Sequence, residues 1–336
     1  MKKLILHIGS PKTGTSSIQR FLERNREKIR QQGFTYPGSE RNHHKLWFMT
    51  DGTKKDMPRQ FNLMEESQLI RALGTYLKGF EQDIIEGNDT QIISTEYLFI
   101  QNQQYIENVI NYLRKFYSEI RVILFVRNPV SYYKSVQQQM IKARSYIESP
   151  QNYRYQFRSV IEAWEQFTGV TVMEYVPGKN IVESFCEFAG LDLSTLHAAN
   201  EKKNVSLSLE QMLLLEKIQK HIYPAKEDVF KPHLKTIEQI DVPFASKPEL
   251  KPWVEWVIFK NHRNDINWLR DRFEVDFLAG NAIEPSKTKV PSFNSTHIQL
   301  SDIYKIRSKD SLDKFESIIM DALLKQLMQK AAQAAA

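Results

Sequence analysis

The sequence predicts an α/β protein in which a parallel β-sheet is flanked by helices, followed by a mostly helical C-terminal part. Two observations support this prediction. Short apolar runs that are rich in β-forming residues alternate with longer segments in which apolar residues recur at helical spacing. The chain beyond about residue 200 is dominated by long charged segments with helical spacing. The alternation in the first part indicates a parallel sheet that helices cover on both faces.

The first strand and the first helix are joined by a loop rich in small residues. The run LILHI at residues 4–8 predicts a buried strand that ends at Gly9. The segment 15–33 then predicts one helix that stops at Gly33. Further strands are predicted within residues 34–38, 90–99, 120–126 and 170–176, and further helices over residues 65–87, 103–117, 130–144, 159–169 and 180–190.

The predicted domain organisation is an α/β core over residues 1–200 and a helical extension over residues 201–336 that packs on the core. No linker rich in Pro, Gly or Ser marks the boundary, so one single domain is the alternative.

Composition restricts the class of protein. Lys and Arg number 46 against 40 Asp and Glu, a net charge of +6, which suits anionic small molecules or an acidic polymer. The charge is spread along the chain and no DNA- or RNA-binding motif is present, so no nucleic-acid partner is predicted. The single cysteine, Cys186, excludes an intramolecular disulfide and a cysteine-based zinc site, and its spacing predicts a core position.

The apolar runs are short. The run after Lys2 and Lys3 is too short for the apolar core of a signal peptide, which takes roughly 7–15 residues. No run approaches the roughly 18 apolar residues of a membrane span. The sequence therefore predicts a cytoplasmic protein with no transmembrane segment.

The loop SPKTGTSS, residues 10–17, predicts an anion site. A loop between a parallel strand and a helix directs backbone N–H groups at the carboxyl edge of the sheet, where the helix N-terminus adds positive potential. Gly14 allows close approach of the backbone, Lys12 supplies a cation and Pro11 stiffens the entry. Thr13, Thr15 and Ser16 are predicted to add hydroxyl donors. A plain turn is the alternative, since such residues are common in turns.

Two further strand ends carry charged residues. Arg127 ends the strand 120–126, and Ser135 follows eight residues later on the predicted helix that begins near Pro129. An Arg at this edge with a Ser on the next helix predicts a clamp for a second phosphate. Glu96 ends another strand and is a candidate base. A plain ion pair is the alternative for either charged residue.

Together these segments resemble the sulfotransferases that use 3′-phosphoadenosine-5′-phosphosulfate (PAPS). SPKTGTSS is similar to their 5′-phosphosulfate loop and RNPVSYYKS to their 3′-phosphate motif. The resemblance covers about residues 4–22, 92–142 and 160–215, and is closest to bacterial members that begin with LHIG and KTGT. It implies the sulfotransferase fold, a P-loop-like sheet. It also implies that Lys12 to Ser16 hold the 5′-phosphosulfate and that Arg127 and Ser135 hold the 3′-phosphate.

The resemblance also implies a reaction. Sulfuryl transfer would use Glu96 as base and Lys12 to neutralise the leaving phosphate, with no metal. Glu96 stands where carbohydrate-acting members carry Glu and aryl or steroid members carry His, which favours a glycan or glycolipid acceptor over another small molecule. His43, His44, Gln139 and Lys142 are candidate substrate residues. For each of these four the alternative is a plain loop or solvent-exposed position.

The sequence is compatible with two other functions. A kinase or NTPase that uses ATP with Mg²⁺ would carry Lys directly after the second Gly of the loop and a strand-end Asp, whereas here Lys12 precedes Gly14 and the strand end holds Glu96. A nucleotide-sensing or scaffolding domain without turnover is disfavoured by the presence of Lys12, Glu96 and Arg127 together.

Overall fold

The computed structural model is an α/β protein with a five-stranded, all-parallel central sheet flanked by helices. This confirms the predicted parallel α/β class, whereas the P-loop-like sulfotransferase fold stays a prediction. The structure describes residues 2–51, 61, 63–144, 146–198, 206–222, 234, 237–238, 245–278, 290–291, 298–306, 310, 313–314, 316–321, 324–325 and 328. Parts of the predicted C-terminal extension therefore lie outside the described residues.

Five strands form the sheet. Their bounds are Lys2–His7 (β1), Phe34–Thr35 (β2), Thr90–Ser94 (β3), Tyr117–Arg127 (β4) and Val170–Tyr175 (β5). The spatial order is β2-β3-β1-β4-β5, so β1 lies in the middle with β3 on one side and β4 on the other. The connection after β1 thus runs to the edge of the sheet formed by β2, and the connection after β3 crosses back over β1 to β4. Ligands of open parallel sheets bind beyond the carboxyl ends of strands at such a switch point.

The pairing of the strands places the ends of β1 and β3 side by side, where the predicted site begins. His7 at the end of β1 pairs with Ser94 at the end of β3 and with Ile123 of β4. Because β4 continues to Arg127, it extends past the end of β1. The segment that follows β1 therefore lies beside the last part of β4.

The helices in the described part follow the predicted spacing. Their bounds are Thr15–Arg24 (α1), Arg26–Gln31 (α2), Glu66–Glu86 (α3), Gln103–Leu113 (α4), Pro129–Ala143 (α5), Phe157–Glu165 (α6), Ile181–Ala189 (α7), Leu209–Ile222 (α8), Pro252–Phe273 (α9) and Leu300–Ile303 (α10). Short 3₁₀ helices cover His44–Thr50, Glu96–Leu98 and Leu193–Thr195. Apolar side chains of α1, α2 and α7 pack on β1, β3 and β4 in one buried cluster.

The predicted single helix over residues 15–33 is wrong, because the structure has two helices that meet at Asn25. The buried Asn25 side chain donates to the Phe21 carbonyl at 2.9 Å and accepts from the His197 backbone N–H at 2.7 Å. A side-chain amide that bonds to a carbonyl one turn earlier competes with the helical ladder. The second bond ties this break to the segment after α7, a distant partner in the sequence.

The chain divides into two compact units. One consists of residues 1–128, 156–202 and 265–276 and contains the sheet; the other consists of residues 129–155, 203–264 and 277–336. The chain changes unit after Asn128, Tyr155, Lys202, Asn264 and Asp276. The domain boundary predicted at residue 200 stays a prediction.

Helices of the second unit have their own polar links. The Gln219 side chain of α8 donates to the carbonyl of Ile141 in α5 at 3.1 Å, and the Glu216 carboxylate accepts from the Leu300 backbone N–H at 3.0 Å. None of the helices in the described part combines the length and the apolar character needed to cross a bilayer.

The close packing of Gly14 against α7 gives a prediction on stability. It has φ of 85°, and an added Cβ would lie 2.9 Å from Ile181 Cγ2 in α7. We expect Gly14→Ala to lower the free energy of unfolding by about 2 kcal/mol or more, because left-handed backbone and a steric clash both oppose the side chain. Chemical denaturation measures the change.

Gly33→Ala is the matched control. Gly33 has φ of 87°, and an added Cβ would have no neighbour within 4 Å. It should therefore show the backbone cost alone. An equal loss of unfolding free energy in the two variants would contradict the predicted clash between a Cβ at position 14 and Ile181.

Candidate functional site

The loop after β1 is held along the last part of β4. The Phe125 N–H donates to the Gly9 carbonyl at 2.7 Å, and the Ser10 N–H donates to the Phe125 carbonyl at 3.1 Å. The Ser10 hydroxyl donates to the same carbonyl at 3.0 Å. The loop therefore starts as an extension of the sheet, and its position is fixed by the backbone of the neighbouring strand.

Hydroxyl groups within the loop stabilise its turn. The Thr13 and Thr15 hydroxyls both donate to the Ser10 carbonyl, at 2.6 Å and 3.3 Å, and both side chains are buried. Ser16 is exposed and Pro11 is partly exposed. The structure thus gives Thr13 and Thr15 a role within the loop, while Ser16 has its side chain toward solvent.

The loop ends at the N-terminus of α1 with a left-handed turn. Lys12 has φ of 64° and Gly14 has φ of 85°. Gly14 is the N-cap residue of α1, no side chain caps the helix, and its first turn contains no acidic residue. The partial positive charge of the helix start is therefore not neutralised by a residue of its own first turn, which favours an anion there.

Glu96 lies against this loop. It begins the 3₁₀ helix after β3, and a Cβ built on Gly9 would lie 3.5 Å from both Cα and Cβ of Glu96. The loop at Gly9 therefore lies next to Glu96, and the φ of 104° at Gly9 favours glycine there. Burial raises the pKa of the Glu96 carboxyl, and the positive charge of Lys12 acts in the opposite direction. The fold thus brings Glu96 and Lys12 close enough for their charges to interact.

Arg127 joins the same group from the end of β4. Its Nη1 donates to the Lys12 carbonyl at 3.0 Å, so it holds the loop at the residue with left-handed backbone. Its guanidinium lies 5.1 Å from the ring centroid of Tyr175 at the end of β5. Sequence reasoning missed Tyr175, although its place at the end of a predicted strand next to β4 was a usable signal.

His43 is part of the core. It is 1 % exposed, its Nδ1 lies 3.2 Å from the backbone N of Ser94, and its Nε2 lies 2.9 Å from the Pro37 carbonyl. A neutral ring with the proton on Nε2 satisfies both contacts. Burial lowers the pKa of His43 to about 4. These contacts make His43 a link between the segment after β2 and the end of β3.

His44 is placed differently. Its ring lies 4.5 Å from that of Tyr97, the residue after Glu96, and its buried Nε2 has no hydrogen-bond partner within the described residues. Burial lowers the pKa of His44 to about 4, with a further contribution from His43. Burial also raises the pKa of Tyr97 to about 12, and the Glu96 charge adds to this effect. His44 therefore places a neutral ring next to Tyr97, and its predicted contact with a substrate stays a prediction.

His7 was missed by the sequence reasoning. It is fully buried at the end of β1, its Nδ1 lies 2.8 Å from the Ser94 hydroxyl, and its Nε2 has no partner in the described part of the chain. Burial lowers the pKa of His7 to about 3. A histidine within a predicted apolar strand was the available signal.

Three predicted residues lie on α5 in the second unit. Ser135 is partly exposed in its second turn, and Gln139 is exposed. Lys142 forms an ion pair with Glu238 at 2.7 Å, which occupies the ammonium group within that unit. The roles predicted for Ser135, Gln139 and Lys142 stay predictions.

Within the described residues, no group of three or more His, Cys, Asp or Glu side chains is placed to hold a metal ion. Cys186 is buried, as predicted, and burial raises the pKa of its thiol to about 12. A thiol in this environment is a poor nucleophile.

Neither the models of known protein families nor the curated proteins gave a match to this chain. The chemistry of the site therefore follows from its own geometry. The arrangement combines an uncapped helix start, two cations and a partly buried carboxylate at the carboxyl edge of a parallel sheet. Such a site is suited to bind an anionic donor and to accept a proton beside it.

The pKa of His43 gives a prediction on stability against pH. Its pKa is lowered on folding, so the unfolded chain binds a proton more readily, and stability falls as the pH drops from about 6.5 toward about 4. We expect this single group to account for a loss of about 2–3 kcal/mol over that range. Denaturation curves from pH 7 to pH 4 measure it.

His43→Gln should be less stable than the unsubstituted protein at pH 7, with a smaller difference at pH 4. His197→Gln is the control, because that side chain is exposed. A constant difference between His43→Gln and the unsubstituted protein across the range would contradict the prediction.

Proposed function

We propose that the protein is a PAPS-dependent sulfotransferase that transfers a sulfuryl group to a hydroxyl or amine of an acceptor. The observation that carries the proposal is the convergence of Lys12, Glu96 and Arg127 on one loop at the switch point of a parallel sheet. The motifs SPKTGTSS and RNPVSYYKS, which resemble those of the sulfotransferase family, lie at two of the three strand ends involved.

The residues fit the donor on chemical grounds. The uncapped start of α1 and the loop N–H groups suit a 5′-phosphosulfate, and the Arg127 guanidinium suits the 3′-phosphate. The role of Ser135 at the 3′-phosphate is carried over from the motif alone. When bound, PAPS would supply a sulfuryl group whose S–O bond to the 5′-phosphate breaks as the acceptor atom bonds to sulfur.

Lys12 and Glu96 have complementary roles in this proposal. The Lys12 ammonium neutralises the negative charge that develops at the departing 5′-phosphate. The Glu96 carboxylate takes the proton of the acceptor, and its raised pKa makes it a better proton acceptor than an exposed carboxylate. The positive charge of Lys12 opposes the effect of burial on the Glu96 pKa and so favours the ionised form of the carboxylate.

The acceptor is proposed to be a glycan or glycolipid, on the basis of the Glu at the end of β3 that resembles the carbohydrate-acting members. His44 is proposed to contact it, since its neutral Nε2 lies buried without a partner in the described part, next to the ring of Tyr97. A cytoplasmic site of action is part of the same proposal.

Nucleotide binding separates this proposal from an ATP-dependent enzyme. We expect adenosine 3′,5′-bisphosphate to stabilise the protein by about 2.7 kcal/mol at 100 times its Kd. Thermal unfolding with adenosine 3′,5′-bisphosphate, with adenosine 5′-monophosphate and with ATP plus Mg²⁺ measures this. Stabilisation by ATP with Mg²⁺ in preference to the bisphosphate would refute the sulfotransferase proposal and favour a kinase or NTPase.

Two substitutions with opposite effects on binding test the roles of the charged pair. We expect Lys12→Ala to weaken binding of adenosine 3′,5′-bisphosphate by roughly 10- to 100-fold, because an ion pair with phosphate is lost. We expect Glu96→Gln to bind it equally well or more tightly, because a negative charge is removed, while turnover falls by about 10²- to 10⁴-fold. Calorimetry measures binding, and release of the bisphosphate from PAPS with a glycan panel measures turnover.

Lys3→Ala and Glu119→Gln are the matched controls. These residues form an exposed pair of 3.1 Å near the starts of β1 and β4, at the other end of the strands. They should change neither binding nor turnover. If the Glu96→Gln variant keeps the turnover of the unsubstituted protein, Glu96 is not the base.

A further inference from the structure

The first unit contains a second concave site, formed by the segment 38–45 and one face of α3. Its volume is about 560 Å³, within the range of roughly 300–1,000 Å³ that is typical of sites for small ligands. The residues that determine its chemistry are Glu40, Lys45, Arg71, Tyr76, Gly79 and Asp83. We call it the α3 cavity.

The walls of the α3 cavity are fixed by polar contacts. The Arg26 guanidinium donates to the carbonyls of Tyr36, Gly38 and Glu40, which holds the segment in one conformation. The Gly38 N–H donates to Asp83 Oδ2 at 2.8 Å and so joins the segment to α3. A site that is held open in this way needs little reorganisation when a ligand binds.

The charges that line the α3 cavity are balanced. Glu40 and Asp83 oppose Lys45 and Arg71, and the Lys45 ammonium is paired with the Glu40 carboxylate. An anionic ligand would face two carboxylates, and a cationic ligand would face two cations. An apolar ligand would offer no hydrogen-bond partner to the charged groups of the lining. The lining instead offers both donors and acceptors to a neutral polar ligand.

Aromatic rings form part of the lining. The rings of Tyr76 and Phe80 are stacked, with centroids 5.4 Å apart and planes at 14°, and Lys45 Nζ lies 5.1 Å from the centroid of Tyr76. Tyr76 is 8 % exposed, and its hydroxyl has no hydrogen-bond partner within the described residues. A buried hydroxyl without a partner is unfavourable, and a ligand with hydroxyl groups supplies one.

We propose that the α3 cavity binds a neutral, hydroxyl-rich ligand, namely a sugar residue. Sugars carry hydroxyl groups that both donate to the carboxylates and accept from the cations of the lining, and a sugar hydroxyl is a suitable partner for the Tyr76 hydroxyl. The cavity uses none of the residues assigned to the anionic donor, Lys12, Glu96 and Arg127. The inference therefore goes beyond the proposed transfer reaction and can be tested without it.

A pair of glycines in one helix provides the test. Gly79 lines the α3 cavity whereas Gly74 does not, and an added Cβ would have no neighbour within 4 Å at either position. Gly79→Leu fills the cavity and Gly74→Leu does not, and both place a better helix former in α3. Both variants should therefore fold, which circular dichroism and thermal unfolding check.

Binding is measured without nucleotide by saturation-transfer NMR with four neutral disaccharides: maltose, cellobiose, lactose and diacetylchitobiose. Citrate and glycine betaine serve as anionic and zwitterionic probes. We expect at least one disaccharide to bind to the unsubstituted protein and to Gly74→Leu, and its affinity for Gly79→Leu to fall by 10-fold or more. Tyr76→Phe should weaken the same binding by about 3- to 10-fold, since one hydrogen bond is lost.

Three results would overturn the inference. They are the absence of binding for all four disaccharides, equal affinity for Gly79→Leu and Gly74→Leu, and stronger binding of citrate or betaine at the cavity. Stabilisation by adenosine 3′,5′-bisphosphate is measured separately on the same variants. Failure of sugar binding with normal bisphosphate binding would leave the proposed transfer reaction intact, and the reverse result would leave the sugar site intact.

Discussion

The site depends on the backbone pairing between the β1–α1 loop and the end of β4. Because β4 continues past the end of β1, its Phe125 can bond to Gly9 and Ser10 on the loop, and its Arg127 can bond to the Lys12 carbonyl. These bonds determine where the loop turns and where α1 starts. The cation, the helix N-terminus and the strand-end carboxylate then converge because one strand is longer than its neighbour.

The pair of Lys12 and Glu96 shows how burial and charge oppose each other at this edge. Burial favours the protonated form of the Glu96 carboxyl, whereas the Lys12 ammonium favours the ionised form. An exposed carboxylate would be a weak base, and a fully buried one without a cation would stay protonated at neutral pH. The main chain at Gly9 lies next to Glu96, since a Cβ built there would be in van der Waals contact with Glu96 at 3.5 Å, and the φ of 104° at this position favours glycine.

The histidines near the site illustrate what burial decides. His43 and His44 are adjacent in the sequence and equally plausible as substrate contacts, but the fold gives them different roles. His43 lies in the core with backbone partners for both nitrogens, whereas His44 has a buried nitrogen without a partner in the described part. The segment 38–45, which contains both histidines, also contributes Glu40 and Lys45 to the lining of the α3 cavity.

The sequence by itself determined the parallel α/β class, the strand–loop–helix character of residues 4–24 and the positions of Glu96 and Arg127 at strand ends. These follow from periodicity and from local turn chemistry, which act over a few residues. Only the tertiary structure decided the strand order, the break at Asn25, the hydrogen-bond partner of His7 and the burial of His43. Each of these depends on partners that are distant in the chain, such as His197 for Asn25 and Ser94 for both histidines. Local patterns cannot specify such partners, because they are chosen by the packing of the whole unit.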